Sequence, residues 1–344
     1  MRVRAWQVQR GGGIGTLRDT TRSLPPLGDF DVCVQVRAVA LNARDLHNAD
    51  SGEGVLVPAS DGAGVVAAVG ARVTRWRVGD RVAAAFYPRW LDGVPTDDKV
   101  VGSLGGGADG VLAEAIVAHE DGLFAIPAHL DFIEAATLPT AGLTSWHALF
   151  EVTSLPSGNT VLLLGTGGVS TWALTFARSA RLRTILTSSD DGKLERARAL
   201  GADETINYRT HPDWDREVLR LTDQRGADLV VEVGGEGTLA RSIRAVGAGR
   251  TVAMVGGVSG GFGAQLEPFA LIGGAKRLAG VLVGSRRMAE AMVRFVEDRG
   301  LRPVIDRVFP FEQAPAAFAH LASGSHFGKV AISIGSPGSS PARG

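Results

Sequence analysis

The sequence predicts an α/β protein: a doubly wound, six-stranded parallel sheet inserted into a β-rich domain built from both ends of the chain. Three observations predict it. Residues 160–164 form a short apolar run that enters a glycine turn, Gly165-Thr166-Gly167-Gly168-Val169-Ser170, and leaves it in a helix-like stretch. Beyond that turn, Val/Ile/Leu-rich runs alternate with helical spacing, the pattern of parallel strands covered on both faces. The amino-terminal third instead alternates at period two, as in Asp31-Val-Cys-Val-Gln-Val-Arg-Ala-Val, and is punctuated by Gly and Pro, the pattern of short half-buried strands.

After 160–164 the candidate strands are 184–188, 204–208, 229–234, 251–256 and 278–284, with helical spacing at 193–200 and 238–245. Six strands make a full dinucleotide-binding (Rossmann) sheet. In that setting the glycine turn gains meaning. A tight turn leading straight into a helix aims unpaired N–H groups and the positive end of the helix dipole at one spot, where two phosphates can sit. Ser170 replaces the third glycine of the usual G-x-G-x-x-G, so the alternation around the turn carries the assignment more than the turn itself. Residues 140–284 are assigned to this domain, and 1–139 with 285–334 to the β-rich domain. Residues 335–344, rich in Gly, Ser and Pro, are expected to be a disordered tail. A ligand cleft is expected between the domains.

Composition excludes several classes. The 344 residues suffice for two cores. The 36 basic and 36 acidic residues are spread along the chain, with no basic stripe for nucleic acid and no polybasic run for a membrane surface. Met1-Arg-Val-Arg-Ala-Trp lacks a signal-peptide core, and no apolar segment approaches a membrane span. Cys33 is the single cysteine, so no disulfide framework forms within the chain and a reducing cytoplasm is the expected setting.

Six motifs, in order, resemble one known family. They are Asn42-Ala-Arg-Asp45, Pro58-Ala-Ser-Asp61-Gly-Ala-Gly64, Val78-Gly-Asp-Arg-Val82, Ala135-Ala-Thr-Leu-Pro-Thr-Ala-Gly-Leu-Thr144, the glycine turn, and Gly328-Lys-Val330. Together they resemble the medium-chain dehydrogenase/reductase superfamily, and within it the zinc-independent, quinone-oxidoreductase-like branch. The resemblance implies a Rossmann domain inserted in a GroES-like catalytic domain, a nicotinamide cofactor and a small-molecule substrate. It also implies dimerisation through the sixth strand, an exposed apolar sheet edge that invites pairing. Zinc-dependent members hold a catalytic metal at positions matched here by Asn42, Ser60 and Thr140. An amide and two hydroxyls do not replace thiolates and imidazole, and one cysteine cannot build a four-cysteine structural site, so no zinc is expected.

Cofactor choice is read at the end of the second strand, where NAD-preferring sites usually place Asp or Glu. Here Thr187-Ser188-Ser189 occupies the turn and Lys193 follows; two hydroxyls and an ammonium suit a 2′-phosphate. Asp190 and Asp191 either weaken that field or point outward, and the alternative for Ser188 is a helix cap and for Lys193 a solvated charge. NADPH is expected over NADH. The resemblance extends cofactor contact to Thr144, Gly165, Thr166, Gly167, Gly168, Val169, Tyr208, Val233, Val255, Gly256 and Val283.

Without a metal, a substrate carbonyl must be polarised by hydrogen-bond donors or by its own conjugation. Asn42 is the candidate donor, with a loop-tying amide as the alternative. His47 matches a proton-relay histidine of some relatives, with a surface or ribose-contacting histidine as the alternative. Asp45 is a third catalytic candidate, set against a local ion pair with Arg44. The remaining histidines, 119, 129, 147, 211, 320 and 326, form no ligand-like spacing. Relatives carry tyrosines beside the Asn42 position; here Ala43 and the non-aromatic Asp50-Ser-Gly-Glu-Gly54 stand instead. Phe86 and Trp90 either wall the pocket or simply pack. The leading expectation is an NADPH-dependent reductase of quinones or enones. The alternatives are a zinc-free alcohol dehydrogenase or ketone reductase, and an NADPH-binding protein that does not reduce, a sensor or a cyclase-type enzyme.

Overall fold

The computed structural model describes residues 1–335 except 262 and 264. The expected tail, Gly335 apart, lies outside the described residues. The chain divides into two compact units, Ala141–Val283 and Met1–Thr140 with Gly284–Gly344.

The Ala141–Val283 unit is the predicted parallel sheet. Its strand order is Glu204–Asn207, Arg183–Ser188, Thr160–Leu164, Ala227–Glu232, Val246–Met254, Arg277–Gly280, and every pairing is parallel. The all-apolar Val161–Leu164 run lies at the centre because both its faces are covered; Leu162, Leu164, Ile185, Val230 and Val252 share one core. The helices Gly168–Ser179, Asp191–Ala199, Trp214–Leu221 and Leu239–Ala245 connect the strands. The sixth strand, expected at 278–284, stops at Gly280. Its neighbour runs out at the facing residue, Met254, and Val281 N–H makes one last bond to the Met254 carbonyl at 2.8 Å. The fifth strand begins earlier than expected, at Val246, with an irregularity between the Ala227 and Leu229 pairings.

The other unit is β-rich. Its larger sheet runs Ile305–Pro310, Lys329–Ser333, Asp31–Leu41, Asp61–Val69, Arg81–Ala84, Leu123–Ala125, with Ala115–His119 also pairing Asp31–Leu41. Period two reads out as expected along the first half of Asp31–Leu41: Val32, Val34 and Val36 are buried, whereas Cys33 is half-buried. A smaller sheet joins Arg18–Ser23, Arg2–Gln9 and Val55–Leu56. Register brings three strand ends together. Asp61 pairs with Ala40 and Val330 with Leu41, so Asp61 and Lys329 flank the end of the strand that leads into Asn42.

Candidate functional site

Each unit carries one set of the predicted site residues. In the Ala141–Val283 unit the glycine turn joins the strand Thr160–Leu164 to the helix Gly168–Ser179. Gly165 has φ +72°, and a Cβ there would meet no other atom within 4 Å, so glycine is required by backbone conformation rather than crowding. A Cβ on Gly167 would also enter open space. Gly167 is the N-cap and no side chain caps the helix, which leaves its first N–H groups for an anion. Ser170, the departure from the glycine pattern, is absorbed: its hydroxyl donates to the Leu164 carbonyl at 2.6 Å. Gly165 N–H reaches Thr187 Oγ1 at 3.3 Å, tying the turn to the second strand. Thr166 is buried and Gly168 and Val169 are half-buried at the rim of this cradle. Thr144 lies buried on the helix Leu143–Trp146, whose Ser145 hydroxyl holds the Val169 carbonyl at 2.7 Å.

At the end of the second strand, Ser188 is buried and Ser189 and Lys193 are half-buried. Tyr208, 41% exposed, is held beside Ser188 by its N–H bond to the Ser188 carbonyl at 3.0 Å. Asp190, rather than Ser188, caps the following helix, accepting from Lys193 N–H at 2.8 Å. Asp191 accepts from Asn207 Nδ2 at 2.8 Å. Both carboxylates are thus engaged by protein donors. Val233, Val255, Gly256 and Val283 follow the ends of the fourth, fifth and sixth strands. Two residues without a sequence-assigned role organise them. Glu232 is fully buried and accepts from Gly234 N–H at 2.6 Å, Gly235 N–H at 3.0 Å, Thr238 Oγ1 at 2.6 Å and the Ser242 hydroxyl; its carbonyl holds Val255 N–H at 2.8 Å. His147 bonds the Val283 carbonyl at 3.0 Å where that residue takes φ +44°, and burial pulls its imidazole below the usual range.

In the β-rich unit, the three residues matched to metal-ligand positions do come together. Ser60 Oγ lies 3.1 Å from Thr140 Oγ1 and 3.5 Å from Asn42 Nδ2. Two charged groups complete the cluster. Asp61 Oδ1 accepts from Ser60 Oγ at 2.9 Å and from the Thr140 hydroxyl. Lys329, fully buried, donates to the Leu41 carbonyl and to Asn42 Oδ1, each at 2.6 Å, and stands 3.7 Å from Asp61 Oδ2. Burial pulls its ammonium below the usual lysine range, opposed by Asp61 and Asp45. Both residues sit in quoted motifs; only the strand register, distant in sequence, reveals them as partners.

Asn42 N-caps the helix Ala43–Asp50, and Asp45 Oδ2 accepts the Asn42 N–H at 2.7 Å. Asp45 does not form the expected pair with Arg44. The guanidinium is drawn instead to the Leu104 carbonyl (2.7 Å) and Ser103 Oγ (3.1 Å) and lies 4.3 Å over the Phe86 ring. Asp45 is buried, and that burial pushes its carboxyl up to about 6 although the nearby Arg44 charge opposes the shift. His47 is exposed on this helix. Phe86 and Trp90 are buried packing groups; Trp90 Nε1 donates to the Gly93 carbonyl at 2.9 Å. Among the described residues no group of three or more His, Cys, Asp and Glu is arranged to hold a metal ion.

Comparison with known proteins places residues 28–128 in the family "Alcohol dehydrogenase GroES-like domain" and residues 200–332 in "Zinc-binding dehydrogenase". A "Zinc-type alcohol dehydrogenase-like protein" of Schizosaccharomyces pombe is 39% identical over 319 residues, covering 90% of this chain and 92% of the relative. A "Quinone oxidoreductase" of Pseudomonas aeruginosa is 33% identical over 242 residues, covering 68% of this chain and 67% of the relative. A solved "NAD-dependent alcohol dehydrogenase" superposes with a TM-score of 0.86 at 33% identity, covering 96% of this chain and 100% of the other.

Proposed function

The chain belongs to the medium-chain dehydrogenase/reductase superfamily, and on that premise we propose that it is a zinc-independent, NADPH-dependent oxidoreductase acting on a quinone or an α,β-unsaturated carbonyl. The observation that carries the zinc-independent reading is the cluster at Asn42, Ser60 and Thr140. At the matched positions its groups are an amide and two hydroxyls, its one carboxylate, Asp61, is taken by both hydroxyls, and a lysine ammonium already points into it. Such a set does not fit zinc, which favours thiolate, imidazole and carboxylate and is repelled by a fixed cation.

The cradle at Gly165–Val169 fits the pyrophosphate of a dinucleotide, because its helix N-terminus is uncapped and its glycines leave open space. Ser188, Ser189 and Lys193 form the proposed 2′-phosphate site. The engagement of Asp190 and Asp191 by protein donors supports it, since neither carboxylate needs to face the phosphate. Thr144, Val233, Val255, Gly256 and Val283 are proposed to line the nicotinamide end. The nicotinamide, when bound, supplies the hydride. The chain's contribution is orientation and polarisation: Asn42 Nδ2 donates to the substrate oxygen as it gains charge. Conjugated acceptors suit a centre with one such donor, because they spread that charge themselves.

The quinone oxidoreductase relative supports this substrate class. Alcohol dehydrogenase relatives favour the substrate class of the second reading, a ketone or alcohol activity on the same residues; that it would be zinc-free rests on the donor set above. His47, exposed, is a proton carrier to solvent in either. A homodimer is proposed through the edge strand Arg277–Gly280, since Phe269 and Ile272 nearby are each 72% exposed. A cytoplasmic location is proposed from the single half-buried cysteine. Among the described residues no helix is long and apolar enough to cross a membrane.

The test is NADPH oxidation with a quinone, an enone and a ketone, with metal content measured in parallel. Turnover of the quinone or enone by metal-free protein is expected. Tight NADPH binding with no acceptor reduced would sink the reductase reading, and stoichiometric zinc would sink the metal-free one.

A further inference from the structure

Lys329 is the buried cation that the scheme above leaves unused. An ammonium has three protons and accepts nothing, so only the oxygen of the Asn42 amide can face it at 2.6 Å. The amide NH2 must then turn the other way. There Nδ2 meets Ser60 Oγ at 3.5 Å, the outer limit of a hydrogen bond, and that hydroxyl is spent on Asp61 Oδ1. Among the described residues Nδ2 has no other partner, and Asn42 is only half-buried. The ammonium itself cannot wander, because the Leu41 carbonyl and Asp61 hold it from the two neighbouring strand ends.

We propose that Lys329 is a positioning residue of the reaction centre: it locks the Asn42 amide oxygen inward and so presents Nδ2–H to the substrate's carbonyl oxygen. The proposal rests on the reading of Asn42 as the polarising donor. Without the cation the Asn42 amide oxygen loses its donor, the 3.5 Å contact of Nδ2 with Ser60 is too long to hold the group by itself, and the donor is presented part of the time. The cation also polarises the amide through its oxygen, which strengthens the N–H on the far side.

Steady-state kinetics of Lys329→Met, Asn42→Ala and the double variant test this on the full chain with NADPH and the best acceptor. Lys329→Met is expected to lower kcat roughly ten- to a hundredfold, less than the hundred- to thousandfold of a donor removed outright because the amide is still presented part of the time, with KM and NADPH affinity near wild type. In the Asn42→Ala background the same change is expected to alter kcat by less than about twofold, the limit of additivity for independent sites. Independent, multiplying losses would overturn the proposal, because they mean Lys329 acts otherwise than through Asn42. Lys329→Met strands a buried carboxylate; if it does not fold, Lys329→Met/Asp61→Asn removes both charges and is compared with Asp61→Asn alone.

Should wild type reduce no acceptor, the reductase reading fails while the positioning is still measured. The side-chain 15N–1H2 resonances of Asn42, identified by their loss in Asn42→Ala, are expected as one sharp pair in wild type and shifted or broadened in Lys329→Met. An unchanged pair refutes the lock.

Discussion

Each unit buries a carboxylate at a strand terminus, and the two are treated in opposite ways. Glu232 is surrounded by neutral donors, two backbone N–H groups and two hydroxyls, so its charge is dispersed over the turn at Gly234–Thr238 and the helix Leu239–Ala245 that follows. Asp61 shares hydroxyls on one oxygen, while its Oδ2 has no hydrogen-bond partner among the described residues and looks toward Lys329 at 3.7 Å. Asp45, near enough to feel the Asp61 charge, likewise leaves Oδ1 buried and without a hydrogen-bond partner among the described residues. A closed network fixes geometry, whereas an open one retains bonding capacity. The first suits a scaffold that shapes a loop; the second is what the proposed reaction centre needs before its ligand arrives.

The contrast can be broken most directly at Glu232. Glu232→Ala strips four buried donors of their acceptor and is expected to cost on the order of 3–5 kcal/mol in urea unfolding. A loss below about 1 kcal/mol, no more than one ordinary hydrogen bond, would mean the network is not the clamp described. Asp45 is expected to give the next largest effect, with a definite pH sign. Its carboxyl holds a proton to about 6 when folded against 3.8 for the free group, so the folded state binds the extra proton between those values. Its stabilisation is therefore complete below pH 3.8 and is lost as pH rises through about 6. At most about 3 kcal/mol is at stake, from two units at about 1.4 kcal/mol each. Asp45→Asn should flatten that part of the stability–pH curve, and an unchanged slope would show that burial is not shifting the group.

Asn42→Ala sharpens the open side of the comparison. A loss of kcat of about a hundredfold or more is expected for a donor used mainly in the transition state, beside a stability loss of about 1–3 kcal/mol for the lost cap and the lost acceptor of Lys329; the same stability loss with kcat unchanged would make it a loop tie instead. The smallest effect belongs to the cofactor turn. Ser188→Asp is expected to weaken NADPH binding roughly tenfold relative to NADH through like-charge repulsion. Equal wild-type affinities for the two cofactors would remove the phosphate site from the proposal.

How much of this was legible in the sequence follows the range of each interaction. The sheet and the glycine turn were readable because apolar runs, turn glycines and helix starts are local; the six strands appear in the predicted order of the chain. The trio Asn42, Ser60 and Thr140 was reached only through the family resemblance, and the structure brings it together. Lys329 and Asp61 were visible residues without visible purpose, since their meeting depends on the register of both against the strand Asp31–Leu41, whose Leu41 lies 288 residues from Lys329 in the chain. The expected Arg44–Asp45 pair failed for a physical reason: a helix N-terminus claims the carboxylate, and a carbonyl and an aromatic face claim the guanidinium. Adjacent opposite charges do not outcompete those partners at a helix start.

The sheet that ends in Lys329 also sets an order of events during synthesis. The strand Asp31–Leu41 emerges early, yet its neighbour Lys329–Ser333 emerges only after the whole Ala141–Val283 unit. A nascent chain therefore has a complete dinucleotide fold while one edge of its early sheet waits unpaired. The ammonium that fixes Asn42 arrives on the strand that closes that edge, so architectural completion and chemical competence are reached in the same step. A product halted before residue 329 would hold the parallel sheet of Ala141–Val283 but lack the ammonium that meets Asn42.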